Sequence, residues 1–144
     1  MQVDWVVTCR YAESDGSVAT IVGAGIDVLY VADFPHEVGI MVAVRLSAPF
    51  EEVSADQGHQ LIGRILGPDG APVRARDGSA VAPLELDLHT TTGASQLVPG
   101  WLATPLHAIG LQWWAPHEGT YTIEIGVDDE EPTLTPVHVL QGST

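Results

Sequence analysis

The sequence contains no lysine. Five arginines stand against nineteen acids, and the formal net charge is −14. Such a chain repels phosphate backbones and anionic lipids, so neither nucleic-acid nor membrane-surface binding is expected. No basic patch is expected from Arg10, Arg45, Arg64, Arg74 and Arg76 against that much acid. Cys9 is the only cysteine, which excludes an internal disulfide. Apolar runs are short, and none approaches the roughly 18–20 residues of a membrane helix. No basic stretch precedes an apolar core near the N-terminus, so no secretory leader is expected and a cytoplasmic location is the default.

Catalytic signatures are missing too. There is no Gly-x-Ser-x-Gly elbow to present a serine nucleophile. The six histidines (His36, His59, His89, His107, His117, His138) include no His-x-His pair. Such a pair is what sets two metal ligands on one face of a strand. His36-Glu37 and His117-Glu118 are adjacent residues, which a strand points to opposite faces. No metal, cofactor or catalytic residue is therefore assigned. The stretch "TIVGAGIDVLYV" at 20–31 has two glycines of a dinucleotide fingerprint, but Val28 occupies the third glycine position. The β-branched run that follows stops at Pro35, so no helix begins there to face a phosphate. Gly23 and Gly25 read as a bend between strands.

What is present is a period of two. In "VGIMVAVRLSA", Val38, Ile40, Val42, Val44, Leu46 and Ala48 form one wholly apolar face, opposite a mixed face with Met41, Ala43 and Arg45. "PLELDLH" sets Leu84, Leu86 and Leu88 against Glu85, Asp87 and His89. "TYTIEIGV" places Tyr121, Ile123, Ile125 and Val127 inward. "VDWVVTCRY" offers Val3, Trp5, Val7, Cys9 and Tyr11 on one side, while the face of "HQLIGRIL" stays ambiguous. Asp-Gly turns at 13–17, 67–72 and 76–80 separate the runs, and "FEEVSADQGH" holds one helical turn at most. Eight or nine short strands without intervening helices predict one all-β domain over residues 1–144. Its expected form is an antiparallel two-sheet β-sandwich.

The order of motifs resembles an uncharacterised family of small bacterial β-sandwich proteins, a domain of unknown function. "VDWVVTCRYAE" comes first, then "GSVATIVGAGIDVLYV" with its Gly-x-Gly-Ile-Asp centre, then "FP" at 34–35. "GHQLIGRILGPDGAPV" follows, and "EGTYTIEIGVDDEEPTLTPVHV" closes the chain. The resemblance implies an immunoglobulin-like or jelly-roll sandwich with Greek-key connections and no assigned activity. One departure is Asp129, which stands where a turn glycine is expected.

Two surfaces merit attention. The run Asp128–Glu131 is expected to be a solvated hairpin tip, with weak cation binding as the alternative. Trp114 should point outward if Ile109, Leu111 and Trp113 point inward. The connection at 90–105 carries Leu97, Val98, Trp101 and Leu102, and long apolar connections either bind or cover an edge. Trp101, Leu102, Trp114 and Arg45 are therefore the expected interaction surface. The function expected first is a non-catalytic module that meets a protein partner or a second copy of itself. A small-ligand or carbohydrate site near Trp101 and Trp114 is the alternative, and a metal-dependent enzyme ranks behind both.

Overall fold

The alternating runs become stacked sheets in a computed structural model that describes residues 1–15, 18–54, 58–88 and 102–142, with only the backbone of 53–54 and 102–103. In chain order the strands are β1 (Gln2–Cys9), β2 (Tyr11–Ser14), β3 (Ala19–Val22), β4 (Val28–Val31), β5 (His36–Pro49), β6 (His59–Leu66), β7 (Leu84–Leu88), β8 (Leu102–Ala103), β9 (Leu106–Ala115), β10 (Gly119–Val127) and β11 (Thr133–Gln141). The single helical turn, α1, is Phe50–Ser54. One sheet centres on β5, flanked by β1 on one side and by β9 and β8 on the other. The second runs β4–β11–β10–β6–β7. No helix among the described residues is long and apolar enough to cross a membrane.

The two sheets share one core. Val38, Ile40, Val42, Val44 and Leu46 of β5 are buried in the same cluster as Tyr121, Ile123, Ile125 and Val127 of β10. These are the alternate positions that the sequence pattern picks out. Burying one such side chain contributes roughly 1.5–3 kcal/mol, so apolar burial is what joins the layers. β9 adds Ile109, Leu111 and Trp113, and Trp113 lies 5.8 Å from Tyr121 between ring centroids.

Three features depart from simple alternation. β1 carries a bulge at Asp4: Val3 pairs with Leu46, but Trp5 pairs with Arg45. Val3 and Val6 therefore pack on the main core, while Trp5 and Cys9 turn to the other face, so the expected single face of Val3, Trp5 and Cys9 is split. The extra residue shifts the phase by one position, which sends every following side chain to the opposite face. The hairpin β2–β3 covers that outer face, burying Cys9 and Ala43 with Ala12 in a small second cluster. β4 pairs parallel with β11, so the second sheet is mixed rather than purely antiparallel. Eleven strands are described because several are only two to four residues long.

The glycine bend holds as expected, with φ 65° at Gly23 and 81° at Gly25 and no helix over 24–34. Gly25 N–H donates to the Thr8 carbonyl at 2.8 Å, and Thr8 Oγ1 donates to Ile26 O at 2.6 Å. His138 N–H then donates to Asp27 O at 2.7 Å, where the parallel pairing begins. The bend thus carries the chain from the outer hairpin to the edge of the second sheet.

Candidate functional site

After β6 the chain makes two tight turns that the Asp-Gly pairs dictate. Gly70 and Gly78 have φ of 77° and 82°, where a side chain is strained. Asp69 Oδ1 accepts the Ala71 N–H at 3.1 Å, and Asp77 Oδ1 accepts the Ser79 N–H at 2.9 Å. The hydrogen bonding to Ser79 holds the Asp77 carboxyl below its usual range. The turns place this excursion beside the β9–β10 connection, where a Cβ at Gly119 would lie 2.5 Å from Pro68 Cγ. Tyr121 Oη donates to the His117 carbonyl at 2.8 Å and fixes the connection to the core.

Between the excursion and the end of β9 lies a cavity of about 610 Å³, lined by Asp69, Arg74, Arg76, Trp114, His117 and Tyr121 among others. The Arg76 guanidinium sits over the Trp114 ring, 5.3 Å from its centroid. Arg74 Nη1 donates to Gly78 O at 3.0 Å, which ties that arginine to the turn and leaves its other N–H groups for further partners. Neither arginine forms an ion pair among the described residues. By contrast Arg45 meets Asp4 at 3.5 Å and Arg64 meets Glu124 at 3.7 Å. Two of the five arginines meet at one concavity, because the turns bring the 74–76 segment back to Trp114.

A second polar cluster lies at the opposite end of β6 and β10. His59 Nδ1 lies 2.7 Å from Asp128 Oδ2, and Nε2 lies 3.0 Å from Glu52 Oε1. The first contact is a hydrogen bond. The second is a contact by distance whose alignment is not that of a hydrogen bond, so Glu52 acts chiefly through its charge. The Met1 α-ammonium also rests on Glu52. Asp128 has φ 51°, so the left-handed turn residue is this aspartate and not Asp129. Burial pushes its acidity toward neutral, but the Gln60 N–H at 2.9 Å and His59 outweigh that and leave its pKa below the ordinary value. Asp128 is therefore hydrogen-bonded to the start of β6, while Asp128–Glu131 all stay exposed in the turn between β10 and β11, as a solvated tip should. The His59 side chain is only 8% exposed, so the cluster pins α1, β6 and the β10–β11 turn rather than facing a ligand.

Of the expected surface, Trp114 lies half-buried on the outer side of β9 and lines the cavity. Arg45 pairs with Leu106, at the far end of the same ladder, about 27 Å away at roughly 3.4 Å per residue. The two do not form one surface. Leu102 pairs with Pro49 through the backbone. Trp101, Leu97, Val98 and His89 lie outside the described residues. His107 faces inward beside the core, and burial lowers its pKa. Among the described residues no group of His, Cys, Asp and Glu is arranged to hold a metal ion. Arg74, Arg76 and His117 were not singled out by the sequence. Their only local signal is the pair of Asp-Gly turns around two arginines at i and i+2.

An all-β protein of antiparallel and mixed sheets, with an arginine–tryptophan groove at the end of β9, is the class that these features define. Residues 4–140 match a family of unknown function (DUF6941), and the chain belongs to that family. No curated protein matches the chain.

Proposed function

We propose that this protein is a non-catalytic binding module and that the groove beside Trp114 takes a negatively charged ligand. One observation carries this reading. In a chain with nineteen acids, Arg74 and Arg76 line the same concavity without an ion pair among the described residues, and Asp69, the acid in that lining, accepts the Ala71 N–H of its own turn. Guanidinium groups suit carboxylate and phosphate by paired N–H donation, and a flat aromatic neighbour orients them. The volume falls within the roughly 300–1,000 Å³ usual for ligand sites. Titration with benzoate, phosphate and sulfate, read as the emission difference between the native protein and Trp114→Phe, tests it. A shift that Arg74→Gln/Arg76→Gln removes supports the reading, and emission unmoved by all three anions overturns it.

A protein partner is the second reading. Leu84 and Leu86 on β7, the last described strand of its sheet, are 37% and 39% exposed, and a second copy docked against that strand would cover them. Light scattering across a concentration series would show a dimer if so, and a monomer throughout would oppose self-association.

A further inference from the structure

The groove does not end at the arginines. A second cavity of about 490 Å³ adjoins it, since Pro72 and Val73 line both. Its walls are mostly apolar, with Ile65, Val81, Leu84 and Leu111, and Arg64 and Gln112 also border it. Leu84 and Leu86 pair with Gly63 and Leu61 of β6, which places them on the core side of the sheet. They are nonetheless partly exposed there. A charged end and an apolar end thus share one wall.

We propose that the composite groove takes an anionic amphiphile. Its carboxylate or phosphate head is held by Arg74 and Arg76 beside Trp114, and its alkyl chain lies along Val73, Val81 and Leu84. This rests on the binding reading above and adds the chain to it. Charge favours an anionic head, because the two guanidinium groups outnumber the one acid of the lining, Asp69, whose carboxylate is engaged with its own turn. Apolar area fixes the tail, because core-side leucines open to water gain stability from any chain that covers them.

Calorimetry with straight-chain carboxylates from acetate to decanoate, below their micelle concentrations, tests the proposal. Decyl phosphate and decyltrimethylammonium complete the set. One-to-one binding that tightens about threefold per methylene from six to ten carbons, with a raised melting temperature, is expected. Arg74→Gln/Arg76→Gln should weaken decanoate at least tenfold, and decyltrimethylammonium should not bind. Comparing decanoate with decyl phosphate identifies the preferred head. Acetate binding as tightly as decanoate overturns the amphiphile while leaving an anion site intact. Equal binding of decyltrimethylammonium overturns the head assignment. An acidic, leucine-rich peptide that binds where decanoate does not overturns the amphiphile in favour of a polypeptide. Silence from every anion overturns both this proposal and the binding reading. The chain-length series uses the native protein, so it stands even if a groove variant folds poorly.

Discussion

The two ends of β6 and β10 treat charge in opposite ways. At one end Asp128 hydrogen-bonds a buried imidazole, His59, and Glu52 lies against that ring's other nitrogen. At the other, Arg74 and Arg76 are exposed beside Trp114 and carry no ion pair among the described residues. The first end spends its charge on joining three segments. The second keeps donors available in a concave site. Charge at the first end holds segments of the scaffold together, and the two arginines at the second line a concavity.

The largest expected effect is at the groove's own scaffold. Gly119→Ala drives a methyl into Pro68 at a backbone angle that side chains rarely adopt, and should cost about 2–3 kcal/mol by urea denaturation. Next comes His59→Ala, which leaves two carboxylates facing a void. About 2 kcal/mol is expected, at the low side for a buried pair because both carboxylates keep some solvent. Third is a pH effect. Burial lowers His107 from its usual 6.5, so the unfolded chain takes up that proton first as pH falls. Stability should decline below about pH 6.5, and His107→Gln should flatten that slope in melting curves. Asp128 adds a separate loss at more acid pH. Its folded pKa lies below the usual 3.8, so its stabilisation is present above that value and vanishes as pH falls through the folded one. The smallest effect is Arg74→Gln/Arg76→Gln, within about 0.5 kcal/mol because both side chains are exposed. If that pair costs as much as His59→Ala, the contrast between the two ends is wrong.

Alternation alone made most of the core legible. The inward set of β5 and that of β10 follow directly from apolar residues two apart, because a strand has no other way to bury them. Gly23 and Gly25 were readable from the absence of any helix signal after them. The bulge at Asp4 was not, since one extra residue leaves no mark in a run whose faces are both largely apolar. Nor was the parallel strand β4, whose pairing partner lies more than a hundred residues away. The groove escaped for a related reason. Trp114 was visible as an outward tryptophan, but Arg76 reaches it only through two turns, and composition gave the arginines no reason to stand apart from the acids. His59 and Asp128 likewise meet across a register that no local pattern encodes.

The bulge at Asp4 has a further consequence for the rim of its sheet. β1 is the outermost described strand on its side, and a straight outer strand is a template on which another molecule can ladder. Asp4 breaks that template, and its carboxylate is anchored to Ser47 Oγ at 2.6 Å, so the kink is held in place. Deleting this one residue would keep every neighbour on its present side yet leave a smooth strand open to fibre-like stacking.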